Sequence, residues 1–468
     1  MADDSTKGLK DNIIKGPWKR VKSVNMAQTQ KLSEDMMFCD DVAESVMIPM
    51  IHNLAENGVD IKTDALVQEV GFMNEVIKSM MYRHLGYQHP MQVLIQTMMS
   101  TKTESVEDVY ATFDHDLLKE MTKKEASDKF FGVNQDAEYL AEWISTFVTR
   151  SERWKSPKYL VGESYGGIRV MALAHELQQD QWMYLNGVVL VSPADYELRY
   201  ESGGIILPVV DFPYLTATAW YHQKLNNEMQ SSSLEDVIKI SEEFAYDKLL
   251  PALAKGGSLD NDEKTLLATR ISSLTGIGIN EILDNNLIIS TNFFWKELLR
   301  DDGFTIGRLD SRYKGIDSKD SGTYPEYPQE LSSWDHAFTP AVNSYINEKL
   351  NFKTDVKYNT WARGDLSVRP WNSDNLRVRR NFREAIAENP FLNVLIQSGY
   401  YDGATTFSAA KYTIQQVDPS GKLRDRFTFK GYESGHMMYL RREDLQKSNQ
   451  DLRDFILKTI TNNTPAKY

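Results

Sequence analysis

Ser164 stands at the centre of Gly162-Glu163-Ser164-Tyr165-Gly166-Gly167. The apolar run Tyr159-Leu160-Val161 precedes it, and Ile168-Arg169-Val170-Met171-Ala172-Leu173, which follows, reads as a helix. G-x-S-x-G between a strand and a helix is the pattern of a nucleophile elbow, which suits acyl transfer. Such a turn holds its serine in a strained backbone conformation, and glycine at 162 and 166 is expected to permit the close approach that the reversal needs. The hydroxyl then projects from the tip of a sheet, with a helix N-terminus behind it to stabilise developing negative charge. Ser164 is the candidate nucleophile.

A serine hydroxyl needs a base to remove its proton, and the base needs a third group to fix its tautomer. On a sheet with an elbow of this kind the acid and then the histidine follow the serine in the chain. Asn393-Val394-Leu395-Ile396-Gln397-Ser398 reads as a buried strand and runs into Gly399-Tyr400-Tyr401-Asp402-Gly403. Asp402 is thereby expected on a loop at the carboxyl end of a strand, where open α/β sheets carry their chemistry. Phe427-Thr428-Phe429 reads as the next strand, followed by Gly431-Tyr432-Glu433-Ser434-Gly435-His436. Of the eight histidines, His52, His84, His89 and His115 precede the elbow, His175 lies in the helix after it, and His222 and His336 fall in an apparent insertion. His436 alone fits the base by order and context. Asp402 is the preferred acid, with turn capping as its alternative role. Asp195, after the strand Val188-Val189-Leu190-Val191, is the second candidate.

Three segments together resemble the serine carboxypeptidases, peptidase family S10, and most closely their bacterial branch: Gly-Glu-Ser-Tyr-Gly-Gly at 162–167, Ser-Gly-Tyr-Tyr-Asp at 398–402 and Gly-His-Met-Met-Tyr-Leu at 435–440. Gly307-Arg308-Leu309-Asp310-Ser311-Arg312-Tyr313 is similar to that branch too, and the resemblance runs from about residue 129 to about residue 460. It implies an α/β-hydrolase-like, mostly parallel sheet under a helical cap, and stepwise release of C-terminal residues from peptides through an acyl-enzyme. It implies no cofactor and no metal. Catalytic Ser164, Asp402 and His436 would be joined by the backbone N–H of Tyr165 in the oxyanion hole. Glu163 occupies the position that helps to hold the substrate's terminal carboxylate. Two carboxyl groups share a hydrogen bond only when one is protonated, so such a site favours acid. The alternative for Glu163 is a buried polar residue held by backbone groups.

The chain departs from the family in two upstream motifs. The family's Asp-Pro with Gly-Thr-Gly-Tyr-Ser is absent. Its Asn-Gly-Gly-Pro-Gly segment, source of a second oxyanion N–H and of part of the carboxylate grip, is missing. Residues 1–121 contain only Gly8, Gly16, Gly58, Gly71 and Gly86, none adjacent to another. Losing one oxyanion donor costs about a hundredfold to a thousandfold in rate. The same region supplies strands that flank the elbow strand, so either residues 1–128 form strands, another chain completes the sheet, or the region is rebuilt. An esterase or acyltransferase on the same triad is therefore a second reading, and a catalytically impaired homologue a third.

Residues 1–121 differ in kind: they hold thirteen of the eighteen methionines but only one of the nine tryptophans, Trp18. Helical patterns run from Ser33 through Val46, from Thr63 or Asp64 towards Met80, and from His89-Pro90 onward. The expected organisation is a Met-rich helical module at 1–121, hydrolase core at 122–202, a cap insertion at 203–389, and core again at 390–468. Within the cap, Leu234–Ala254 and Asp262–Leu274 read as amphipathic helices and 317–328 as a polar loop. Pro213-Tyr214 and Trp220-Tyr221-His222 are read as pocket-lining or as packing beneath the cap. A helix at about 444–460 is expected to close the sheet at its far edge.

An apolar fraction of 41% and a charged fraction of 25% are those of an ordinary globular protein. The net charge of −13, with no basic run, argues against a nucleic-acid partner. Cys39 is the only cysteine, which excludes an intrachain disulfide. No apolar stretch approaches the roughly twenty residues of a membrane span. No phosphate-binding loop, dinucleotide glycine pattern or zinc-like spacing occurs. The expected partner is a peptide with a free terminal carboxylate, and a homo-oligomer is left open. The initial Met-Ala-Asp-Asp-Ser carries no signal-peptide apolar segment, which as written points to the cytoplasm, although members of the family often work in periplasmic, secreted or acidic settings.

Overall fold

The computed structural model describes residues 132–200, 204–350, 358 and 377–460. The helices expected within 1–121 lie outside the described residues. The chain divides into two compact units, one of residues 131–334 with 370–468 and one of residues 1–130 with 335–369. In the second unit, Asn343 in the helix Gln329–Glu348 accepts a hydrogen bond from the backbone N–H of Tyr358 at 2.9 Å. All that follows concerns the first unit.

Its chain opens with α1 (Val133–Arg150), then β1 (Tyr159–Glu163), α2 (Tyr165–Asp180) and β2 (Gly187–Val191). The insertion contributes α3 (Ile206–Tyr221), α4 (Leu234–Phe244), α5 (Asn261–Thr275), α6 (Thr291–Glu297) and the short pair β3 (Thr305–Ile306) and β4 (Lys314–Gly315). The chain then returns through α7 (Val378–Glu388), β5 (Asn393–Gly399), α8 (Phe407–Val417), β6 (Phe427–Tyr432) and α9 (Arg442–Thr459). The sheet has the order β1-β2-β5-β6, with every pair parallel.

A parallel sheet buries both faces, and its strands are accordingly rich in β-branched residues without polar alternation. Val188, Val189, Leu190, Val394, Leu395 and Ile396 are all nearly inaccessible. The residues of β1 stand in register with β2, Leu160 opposite Val188 and Glu163 opposite Val191. Among the described residues β1 is the edge, and its Val161 is 58% exposed. No helix of the described residues is long and apolar enough to cross a membrane.

The last helix does not close the sheet at its far edge. Phe455 of α9 packs on Val189 and Leu395 of the two central strands, with Leu452 and Ile456 alongside. Its end reaches β1, where Tyr159 bonds Thr459 Oγ1 at 2.9 Å. The apolar stripe of α9 therefore lies across a sheet face, where it removes more apolar area from water than an edge position allows.

The insertion builds a second apolar core. Phe212, Tyr214 and Leu215 of α3 pack with Val237, Ile271 and Phe294 from the helices that follow. Ser233, Asp260 and Ser290 start α4, α5 and α6 by accepting first-turn N–H groups. The core extends to Tyr401 and Phe407, on either side of Asp402. Pro213 and Tyr214 are buried, and Tyr214 packs within this core. Trp220 packs there as well, donating Nε1–H to the carbonyl of Ser232 at 3.1 Å.

Candidate active site

Ser164 links β1 to α2 with φ 57° and ψ −119°, a region that L-residues rarely occupy. Three backbone bonds hold the strained turn: Ser164 N–H donates to Val191 O at 2.9 Å, and Ser164 O accepts from Gly167 at 3.0 Å and from Ala194 at 2.9 Å. Gly162 is required, since a Cβ there would run into the carbonyl of Gly166 and the side chain of Val170. The expectation for Gly166 is overturned, because a Cβ there meets open space. The second tight glycine is Gly167, whose Cβ would lie 2.7 Å from that of Pro193. The crowding comes from the loop after β2, which the local pattern of the elbow does not contain.

Tyr165 opens α2, so its N–H belongs to the first turn, whose donors a helix leaves to outside acceptors. Its side chain faces elsewhere. The phenol donates to Asp136 of α1 at 2.8 Å, and Arg169 Nε bonds the same carboxylate at 2.6 Å. These bonds dock α1 on the elbow helix and fix the direction of the Tyr165 backbone.

Asp402 and His436 lie on the loops after β5 and β6 and are both buried. His436 Nδ1 lies 2.8 Å from Asp402 Oδ2. Asp402 Oδ1 accepts from the N–H groups of Ala404 at 2.8 Å and Thr405 at 3.1 Å, so the aspartate caps its own turn as well as holding the imidazole. The Thr405 hydroxyl adds a contact of 2.8 Å to Asp402 Oδ2 and another of 2.8 Å to Ser192 O. Burial alone would push the His436 pKa down. The charge of Asp402, its hydrogen bond and the charge of Glu163 outweigh that and hold the imidazole above its ordinary value.

Asp195 is engaged elsewhere. Arg379 of α7 bonds its carboxylate through Nε at 2.8 Å, and Thr413 of α8 donates to it at 2.5 Å. It also accepts the N–H of Glu197 at 2.9 Å. Asp195 thus joins three elements beside the sheet and makes no bond to His436.

Glu163, the last residue of β1, is partly buried, and burial raises its pKa above the usual carboxylate range. The charge of His436 and a hydrogen bond from Tyr439 act against that rise. The bond from Tyr439 measures 3.1 Å to Oε1 and 3.2 Å to Oε2.

Two segments beyond the expected residues tie these loops together. The first follows β2: Ala194 bonds the elbow, while Ser192 Oγ donates to His436 O at 2.9 Å. The second is Gly307–Tyr313 of the insertion. Arg308 O accepts from Gly403 at 2.9 Å, and Leu309 O accepts from His436 at 2.7 Å. The buried Glu330 holds that segment by accepting the N–H groups of Arg308 at 3.0 Å and Leu309 at 2.7 Å. Thr405, three residues after an aspartate, had a turn signal that could have drawn notice. Ser192 and Glu330 had none, since their partners are remote in sequence.

A cavity of about 420 Å³ is lined by Tyr221, Asp310, Arg312, Tyr313, Leu440 and Arg441, the last two from the histidine loop. Tyr221 is the one member of the Trp220-Tyr221-His222 group on that wall; His222 Nε2 instead meets Ser311 O at 2.7 Å. Among the described residues no cluster of histidine, cysteine and carboxylate side chains could hold a metal ion.

A buried aspartate–histidine pair, a strained serine elbow and a carboxylate beside that serine are the parts of a serine acyl-transfer site. No curated protein matches the chain. The family model described as serine carboxypeptidase matches residues 119–444, leaving the N-terminal part unmatched. The chain belongs to the serine carboxypeptidase family, the α/β serine hydrolases that its elbow and histidine loops resemble.

Proposed function

We propose that this chain removes single residues from the C-termini of peptides through an acyl-enzyme on Ser164. The observation that carries the reading is the buried contact of 2.8 Å between His436 Nδ1 and Asp402 Oδ2, on loops at the sheet end where Ser164 forms its elbow. With Nδ1 bonded to the carboxylate, the imidazole keeps Nε2 as its basic atom. Nε2 takes the Ser164 proton as Oγ attacks the scissile carbonyl, and Asp402 stabilises the imidazolium that forms. The Tyr165 N–H, at the positive end of α2, receives the oxyanion. Collapse breaks the peptide bond, His436 protonates the leaving amine, and water repeats the sequence to free Ser164.

Glu163 supplies the selection for a free terminus. A neutral Glu163 can donate to the substrate's α-carboxylate, whereas an ionised one repels it. Its burial keeps the neutral form present at higher pH than for a solvated glutamate. When the α-carboxylate binds, its negative charge strengthens the hold of Glu163 on a proton taken from solvent, and the two carboxyl groups share that hydrogen. The reading thus joins a Glu163 that must be protonated to a His436 that must be neutral, which bounds the activity on both the alkaline and the acid side.

Release of the terminal amino acid from an N-blocked dipeptide tests it. The wild type is expected to release it faster at about pH 5 than at about pH 8, and Ser164→Ala is expected to release none. Equal cleavage of the C-terminal amide would contradict the proposed selection.

A further inference from the structure

Gly-His-Met-Met-Tyr-Leu at 435–440 delivers the histidine, but its tyrosine has no part in the steps above. Tyr439 lies on the short turn Met438–Leu440, three residues beyond His436. Its hydroxyl shares one hydrogen between the two oxygens of Glu163, at 3.1 and 3.2 Å. The Glu163 carboxylate accepts no other hydrogen bond among the described residues. The phenol is 42% exposed and so within reach of a ligand.

A bound α-carboxylate presents two oxygens and is held well by two donors. Protonated Glu163 supplies one. We propose that Tyr439 is a specificity-determining residue whose hydroxyl, shared with Glu163 in the free enzyme, supplies the second donor to a peptide's α-carboxylate. The assignment rests on the carboxypeptidase reading. The exchange is balanced: Tyr439 passes its hydrogen bond from one carboxylate to another, and Glu163 takes from solvent the proton that lets it donate. Because the turn that carries Tyr439 also carries His436, gripping the terminus and placing the base are tied to one segment.

Among the described residues, the groups that act on the charge of Glu163 are His436 and Tyr439 from the histidine loop and Asp402 from the loop after β5. The Tyr439 bond favours the ionised form of Glu163, so its removal raises the pH at which Glu163 loses its proton.

The test is calorimetric titration of Ser164→Ala and of Ser164→Ala with Tyr439→Phe, using an N-blocked dipeptide and its C-terminal amide, across a pH series. Neither protein turns the ligands over. The ratio of free-acid to amide affinity is expected to fall about tenfold on removal of the hydroxyl, the loss of one hydrogen bond to a charged group. The pH at which free-acid affinity declines is expected to move upward. If both ligands weaken equally, or neither does, Tyr439 is not the second donor. The reading of Glu163 survives that result provided Glu163→Gln alters free-acid affinity. If Ser164→Ala itself shows no preference for the free acid, the carboxypeptidase reading fails and the Tyr439 assignment with it.

Discussion

Ser192 donates its hydroxyl to the carbonyl of His436 at 2.9 Å, across a gap of more than two hundred residues in the chain. Its own backbone is held at φ 42°, in the left-handed region, with its N–H on Gln397 O at 2.8 Å. One strained residue after β2 thus touches β5, the acid turn through Thr405, and the histidine loop, while Ala194 beside it touches the elbow. Three loops from different strands keep a common geometry only if something links them, and this segment is one such link.

Replacing Ser192 with alanine removes the donor and leaves a buried carbonyl short of one bond. The expected result is a fall of about tenfold in kcat with KM changed less than about twofold, since the lost bond is at His436 itself and not at Glu163 or the Met438–Leu440 turn. Steady-state kinetics on an N-blocked dipeptide would measure both. A rise in KM with kcat intact would place Ser192 in binding instead.

The two aspartates after the elbow are expected to separate cleanly. Asp402→Asn leaves the turn in place but spoils the tautomer of His436, and kcat is expected to drop about ten-thousandfold with little change in melting temperature. Asp195→Ala removes the carboxylate that Arg379 and Thr413 share in a largely buried setting, and is expected to cost about 3 kcal/mol of stability. Denaturant unfolding and initial rates on the same preparations distinguish the roles; the reverse pattern would make Asp195 the acid.

Glu163→Gln carries the pH prediction. In the wild type, affinity for a free-acid peptide is present while Glu163 is protonated and is lost as pH rises through its elevated pKa. Glutamine donates an N–H at every pH, so that alkaline decline should vanish. The negative charge that helps to raise His436 also disappears, so the acid limb should move to lower pH. A profile of kcat/KM from about pH 4 to about pH 9 would show both limbs. An unaltered alkaline limb would mean that another group governs it.

How much of this was legible in the chain follows from which contacts are local. Strand, elbow and helix around Ser164 occupy adjacent residues, so composition and periodicity suffice to recognise them. Asp402 and His436 were found by order and by the strands ahead of them, and the structure brings the two together at 2.8 Å. Remote contacts were silent. Nothing near Gly166 or Gly167 reveals that Pro193 crowds the latter and leaves the former open. Tyr214 read equally as pocket wall or as packing beneath the cap, because aromatic residues serve both, and the packing of the insertion decides for the core. The apolar stripe of the last helix was plain, but its position across the central strands depends on Phe455 meeting Val189 and Leu395. Tyr439 stood inside a quoted motif, and its meaning came only with Glu163 opposite.

The most direct measurement is reaction of the purified protein with a fluorophosphonate, followed by mass spectrometry of its peptides. The account predicts one adduct, on the peptide containing Ser164, lost in Ser164→Ala and slowed at least a hundredfold in a His436→Ala variant that remains folded. A folded protein that takes up no label, or takes it up on another serine, would contradict it.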